Sequence, residues 1–86
     1  MRIFIASADK TSRIALQLLL ESEPGMVVIG IADRAEGLLT LVGASQPEVL
    51  LLDYELAKQT TVALISDLHH LEQPPIIIVL SINVQV

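Results

Sequence analysis

The sequence has no cysteine, few basic residues and no long apolar run. Without cysteine it has neither a disulfide framework nor a thiolate nucleophile. Five basic residues stand against ten acidic ones, the net charge is −5, and no basic patch is present, so we expect no direct binding of nucleic acid. The longest apolar stretch, Ile76 to Leu80, is far shorter than the roughly 20 residues that cross a membrane as a helix.

Other missing patterns limit location and chemistry. The six residues between Arg2 and Asp9 are too few for the apolar core of a signal peptide, so the expected location is the cytoplasm. The glycines lack the G-x-G-x-x-G spacing of a nucleotide-binding loop. His69 and His70 point about 100° apart on a helix and do not converge on one metal ion, so we interpret them as a pair at a helix carboxyl end. We therefore predict no enzyme and no resident cofactor.

What the sequence does contain is a regular alternation of segments. Its 86 residues suffice for one small domain, and 52% of them are hydrophobic. Apolar runs bounded by proline and glycine alternate with segments of helical period, which predicts an α/β fold with a parallel sheet. The strands are predicted over residues 2–7, 26–31, 48–53 and 76–81.

Three helices are predicted between these strands from apolar residues at helical spacing. The first covers Thr11 to Glu21 and the second Arg34 to about Ser45. The third runs from roughly Thr60 to His70. The residues predicted to form their apolar faces are Ile14, Leu18 and Leu19 in the first, Leu38, Leu41 and Val42 in the second, and Ala63 or Leu64 followed by Leu68 and Leu71 in the third.

Asp53 is the foremost candidate for chemistry. It ends an apolar run, and a polar residue at the carboxyl end of a buried parallel strand lies in the crevice where such folds bind ligands. The carboxylate is either reactive or hydrogen-bonded to the following loop. The neighbouring strand ends in Ser7, Ala8 and Asp9. Asp9 is either a helix N-cap or a metal ligand, and Tyr54 is expected to be partly exposed beside Asp53.

Several short motifs, taken together, resemble the receiver domain of bacterial two-component response regulators, especially the branch fused to LuxR-type DNA-binding domains. The resemblance runs from Arg2 to Ser81 without a gap. Its motifs are Arg2-Ile3-Phe4-Ile5-Ala6, Arg13 and Leu16, Leu19 to Pro24, Val28-Ile29-Gly30, Pro47 to Asp53, and Pro74 to Ser81.

The resemblance implies a flavodoxin-like sheet of order 2-1-3-4-5. It also implies that Asp53 is the phosphate-accepting aspartate and that Ser81 is the hydroxyl residue that follows the phosphoryl group. In the family, magnesium is bound by an acidic pair at the end of the first strand, by the phosphoacceptor and by a backbone carbonyl, which is that of Glu55 in this sequence.

This sequence departs from the family pattern at positions that matter for the chemistry. Ser7 and Ala8 occupy the places of the acidic pair. Ala57 stands in place of a proline, Thr61 in place of a glycine, and Ile82 in place of a small residue. The fifth strand, its lysine and the last helix would lie beyond residue 86. We therefore expect a sheet of order 2-1-3-4, a single receiver-like domain over 1–86 that is incomplete at its carboxyl end, and weak magnesium binding.

Three functions are compatible with these features. The first is a signal-transduction receiver with impaired or absent phosphoacceptor chemistry, which acts through protein–protein contacts. The alternative is a competent receiver, in which Asp53 accepts phosphate from a histidine kinase and controls a DNA-binding output domain. A flavodoxin-like enzyme or cofactor binder is the third and least supported reading. The expected partners are a histidine kinase or another signalling protein, and a second copy of the chain paired through the strand at 76–81.

Overall fold

The computed structural model describes residues 1–81, in which four strands form one parallel sheet. The strand order is β2-β1-β3-β4, which confirms the predicted order. Every strand boundary lies within one residue of its predicted position. The alternation of Ile82, Val84 and Val86 lies outside the described residues. The strands are β1 (Arg2–Ala6), β2 (Val27–Ala32), β3 (Val49–Asp53) and β4 (Ile76–Leu80).

Four α-helices connect or flank these strands, and a short 3-10 turn at Lys58–Thr60 separates the last two. The third helix is a single turn that the sequence analysis did not predict. No helix within residues 1–81 is long and apolar enough to cross a bilayer. The helices are α1 (Lys10–Glu21), α2 (Leu38–Ser45), α3 (Tyr54–Ala57) and α4 (Thr61–His69).

The second helix begins later than predicted. Gly37 has φ +78, a left-handed conformation that cannot continue a right-handed helix, so α2 begins at Leu38 and not at Arg34. Leu38 and Val42 are buried as predicted, but Leu41 remains 49% exposed. Because β2 is an outer strand of the sheet, a side chain of α2 that reaches beyond it has no further strand to pack against.

The larger core lies on the face of the sheet that α2 and α4 cover. In α4 the inward positions are Leu68, which is fully buried, and Leu64, which is partly buried, whereas Ala63 is exposed. Leu71, just after the helix, also packs against this cluster. The buried residues of the cluster are Phe4, Ala6, Ala32, Leu38, Val42, Leu50, Leu52 and Leu68.

The opposite face is covered more thinly. Leu16 and Leu20 of α1 pack against a small cluster of Ile3, Ile5 and Val49, and α1 has no fully buried residue. The predicted face was wrong: Ile14, Leu18 and Leu19 are 48%, 67% and 67% exposed. The side of α1 that packs against the sheet is the neighbouring one, which carries Leu16 and Leu20. Within residues 1–81, α1 is the only helix that contributes to this second cluster.

The two outer strands of the sheet differ in regularity. The register between β1 and β2 shifts after Ile3, because Ile3 pairs with Val28 while Phe4 pairs with Gly30. This irregularity leaves Ile29 without a register partner, as in a β-bulge. In contrast, all five residues of β4 keep an unbroken register with β3.

Candidate functional site at the carboxyl edge of the sheet

The carboxyl ends of β1, β3 and β4 bring the predicted site residues to one edge. Ala6 pairs with Leu52, and Asp53 pairs with Leu80. The residue after β1, Ser7, therefore lies beside Asp53. Ser7 and Asp53 are both buried, at 0% and 3% exposure. The parallel register thus places a neutral hydroxyl next to the candidate carboxylate, as the sequence predicted.

The Ser7 hydroxyl donates a hydrogen bond of 3.0 Å to Oδ2 of Asp53. Both backbone groups of Ser7 are bonded as well. Its amide donates to the carbonyl of Ala32 at 3.0 Å, and its carbonyl accepts from Nη1 of Arg13 at 2.7 Å. Ser7 therefore connects the end of β1 to β2, β3 and α1 by hydrogen bonds.

The second oxygen of Asp53 faces the chain that follows it. Oδ1 accepts a hydrogen bond of 3.2 Å from the amide of Glu55, so that Asp53 is the N-cap of α3. This is the loop-bonding role that the sequence analysis weighed against reactivity. It also explains why a one-turn helix forms here, since a capping carboxylate satisfies an otherwise free amide of the first turn.

The other residues predicted near the site are exposed. Ala8, in the second place of the family's acidic pair, is exposed, as is Ser81, one residue beyond β4. Tyr54 is 41% exposed at the start of α3, which agrees with the prediction for it. The roles of Asp53 as phosphoacceptor and of Ser81 as switch hydroxyl remain predictions.

Asp9 is an N-cap, the first of its two predicted roles. Its Oδ2 accepts hydrogen bonds from the amide of Ser12 at 2.9 Å and from the Ser12 hydroxyl at 2.6 Å. The Ser12 hydroxyl, and after it the Ser12 amide, hold the pKa of Asp9 below its ordinary value of 3.8. This carboxylate therefore belongs to the amino terminus of α1 and lies on the surface.

The residues present do not fit the magnesium ion that receiver domains use. Magnesium requires a compact, near-octahedral set of hard oxygen ligands. Here one carboxylate, that of Asp53, meets one hydroxyl, that of Ser7. Across residues 1–81 no group of three histidine, cysteine, aspartate or glutamate side chains is placed to bind a metal ion. We derive no step through magnesium for this chain.

The two histidines lie where the sequence placed them. His69 is the last residue of α4 and His70 is its C-cap. Nδ1 of His70 is 2.6 Å from the carbonyl of Ser66, one turn earlier. The pair ends a helix and does not form a ligand site.

Two features of the edge were missed by sequence reasoning. The contact of Arg13 with the Ser7 carbonyl depends on how α1 lies against β1, and no local spacing indicates it. The other feature is Thr61, in the family's glycine position: it is 6% exposed, and its hydroxyl has no hydrogen-bond partner among the described residues. A threonine in a place usually held by glycine was the available signal for this unpartnered hydroxyl.

Comparison with known proteins gives one similar sequence. No protein-family model matches the chain. The protein-glutamate methylesterase/protein-glutamine glutaminase 2 of Vibrio vulnificus is 27% identical over 79 residues. The match covers 92% of this chain but 23% of that protein. The chain therefore spans less than a quarter of this relative, whose named activities are those of the whole protein.

Solved structures give a clearer likeness. The response regulator domain of CheB from Thermotoga maritima superposes with a TM-score of 0.83 at 20% identity, over 94% of this chain and 60% of that one. The signal receiver domain of NarL from Mycobacterium tuberculosis also scores 0.83, at 23% identity, over 98% and 68% of the two chains. This chain has the fold of a response regulator receiver domain.

A third similar structure, the receiver domain of a modulated diguanylate cyclase from Desulfovibrio desulfuricans, has a TM-score of 0.70 at 23% identity, over 95% of this chain and 66% of that one.

The receiver fold explains the layout of the carboxyl edge of the sheet. The sheet order β2-β1-β3 puts the crevice of the fold between β1 and β3, where the strand order reverses. Ser7 and Asp53 lie at that point. The superpositions and the strand order together confirm the predicted resemblance to receiver domains and the predicted fold class.

Proposed function

We propose that this chain is a receiver module of two-component signalling that acts through protein–protein contacts, without phosphotransfer to Asp53. The receiver fold supports the signalling role. The hydrogen bond from Ser7 to Asp53 supports the loss of chemistry, because a serine hydroxyl now meets the carboxylate where the family supplies an acid.

The physical argument concerns charge. A carboxylate attacks phosphorus only when the negative charge of the phosphoryl oxygens is neutralised, and a metal ion supplies that neutralisation in most phosphoryl-transfer sites. The donor set at Asp53 does not assemble such an ion. Each oxygen of Asp53 already accepts a hydrogen bond from the protein, one from Ser7 and one from Glu55.

The test is to incubate the chain with acetyl phosphate and magnesium and to weigh the intact protein. We expect no gain of mass by one phosphate. A gain that disappears in Asp53→Asn would contradict the proposal. It would instead support the competent receiver, which accepts phosphate on Asp53 from a histidine kinase and controls an output domain.

A rescue experiment separates the missing acids from other defects. Ser7→Asp together with Ala8→Asp restores the acidic pair beside Asp53, and we expect measurable magnesium binding by calorimetry or by the fluorescence of Tyr54, the single tyrosine of a chain without tryptophan. The added like charges should also lower stability. If the double variant shows no response to magnesium, the absent acids are not the main defect.

The partners proposed are those of a signalling module. They are a histidine kinase or another signalling protein met in the cytoplasm, and a second copy of this chain paired along β4. Direct nucleic-acid binding is not proposed, since ten acidic residues outnumber five basic ones and would repel the phosphate backbone.

A further inference from the structure

A groove runs along β2, at the border of the sheet opposite β4. It consists of two adjoining cavities of about 460 and 350 Å³, both bordered by Ile31 and Leu41. We call it the β2 groove. Its apolar part is lined by Phe4, Ile29, Gly30, Ile31, Leu41 and Ala44, and its charged end by Arg13, Asp33, Arg34 and Glu36.

The apolar part depends on the irregularity of β2. The register shift places Gly30 opposite Phe4, and a side chain at Gly30 would overlap the Phe4 ring. The ring therefore packs against bare backbone beneath the groove and is itself buried, at 3% exposure. Leu41 and Ile31 border it and remain 49% and 42% exposed, although Leu41 belongs to the stripe predicted to be buried.

The charged end presents a fixed guanidinium. Nη1 of Arg13 is bonded to the Ser7 carbonyl at 2.7 Å, which orients the group and leaves its other donors available. Within residues 1–81 no carboxylate forms a salt bridge with Arg13. Arg34 differs, because its Nε lies 3.2 Å from Oδ1 of Asp33 and this exposed pair is already formed.

These features together point to a ligand. The geometry assigns to the β2 groove a small amphiphilic monocarboxylate, whose carboxylate binds Arg13 and whose apolar body lies on Ile31 and Leu41. A guanidinium fork matches a carboxylate. Asp33 and Glu36 at the same end repel any anion, and they repel a doubly charged phosphate more strongly than a singly charged carboxylate. Both cavities lie within the usual volume of ligand sites, roughly 300–1,000 Å³.

This inference is independent of the proposed function. It uses no residue of the phosphoacceptor chemistry, and the groove lies along β2, whereas Asp53 ends β3. A failure of ligand binding would leave the argument about Ser7 and Asp53 unchanged.

The test is a titration of the ¹⁵N-labelled chain followed by amide NMR shifts, with octanoate, 1-octanol and octyl phosphate as probes. We expect saturable shifts along β2 and α2 with octanoate, and binding about tenfold weaker with 1-octanol, which lacks the charge. Octyl phosphate is expected to bind more weakly than octanoate. Because Arg13 belongs to α1, its own amide should shift as well. Shifts that do not saturate, or that miss Arg13 and centre instead on the exposed Leu18 and Leu19 of α1, would overturn the assignment.

Variants identify the two halves of the site. Arg13→Gln should weaken octanoate about tenfold and leave 1-octanol unchanged. Leu41→Glu puts a carboxylate into the apolar part and should weaken octanoate by at least as much. The matched control is Leu18→Glu, since Leu18 is also an exposed leucine, at 67%, and does not line the groove. Equal octanoate affinity in all three variants, with folding verified by circular dichroism, would refute the site.

Discussion

The buried polar residues near the carboxyl edge differ in how well their hydrogen-bonding groups are satisfied. Ser7 bonds through its hydroxyl, its amide and its carbonyl. Asp53 accepts one bond on each oxygen. The hydroxyl of Thr61 has no partner within residues 1–81. An unpaired buried polar group costs free energy and a paired one does not. Removing the Ser7 hydroxyl should therefore lower the stability of the fold, whereas removing the Thr61 hydroxyl should raise it.

Removing the Ser7 hydroxyl should destabilise the fold. Ser7→Ala leaves Oδ2 of Asp53 buried without its donor, and we expect the free energy of unfolding to fall by about 1–3 kcal/mol in urea denaturation. Ser66→Ala, an exposed serine on α4, is the control and should have little effect. A double-mutant cycle with Asp53→Ala measures the coupling of the pair, and a coupling near zero would contradict the hydrogen bond.

Thr61 and Thr60 form a matched pair for the opposite effect. Thr61→Val replaces the unpartnered hydroxyl by a methyl group of similar size and should raise the free energy of unfolding by about 1 kcal/mol. The hydroxyl of Thr60 donates to the carbonyl of Ala57 at 2.6 Å, so Thr60→Val should lower it. Thermal unfolding of both variants checks the pair, and stabilisation by Thr60→Val would refute the argument.

Among the secondary-structure elements, the beginnings of the helices show how far local sequence determines structure. Asp9 before α1 is a strong capping residue, and capping was one of the two roles predicted for it, because it precedes an apolar-periodic segment. The cap of α3 could not be foreseen as a helix start, since four residues contain too little periodicity to recognise. Likewise the φ of +78 at Gly37 makes α2 begin only at Leu38, and a glycine in the sequence does not by itself predict that conformation.

Side-chain burial was predicted less well than the elements themselves. The strands are short apolar runs between turn residues, so the first and last residue of each strand can be predicted from the sequence alone. The packed face of α1 was displaced to Leu16 and Leu20, and Leu41 was left exposed, because both depend on which strand lies opposite. The contact of Arg13 with Ser7 likewise arises only when α1 packs against β1.

The cap of α1 should make stability depend on pH in the acid range. The pKa of Asp9 is lowered in the folded state by the two Ser12 donors, so its contribution is fully present above the ordinary value of 3.8. It is lost as the pH falls through the lower folded value. Asp9→Asn should therefore reduce the loss of stability on acidification, measured by thermal unfolding between neutral and acid pH. An unchanged pH profile would contradict the cap.

For the molecule as a whole, the two borders of the sheet are unequal. The irregular register of β2 limits its use as a template for another strand. Within residues 1–81, β4 pairs on one side only, and it has five apolar residues without a charge. Ile76 and Ile78 are 66% and 44% exposed, on the face that α1 covers only in part. A regular apolar edge of this kind recruits a further strand.

Self-association through β4 is the resulting prediction. Two copies related by a two-fold axis would pair their β4 edges antiparallel, and we expect a dimer or larger assembly in sedimentation at micromolar concentration. Ile78→Lys should shift the chain to monomer. Val62→Lys adds the same charge at a 79% exposed position on α4 and should not. A monomer in every case would show that β4 is protected within the chain.

The bonding of Asp53 has a consequence for how sequences of this fold are interpreted. Its two hydrogen bonds tie β1 to β3 and begin α3, so this aspartate serves the fold whether or not it is phosphorylated. Its presence by itself then says nothing about signalling by phosphate. The residues at positions 7 and 8 are more informative, because acids there add like charges beside Asp53, which lower stability unless a metal ion neutralises them.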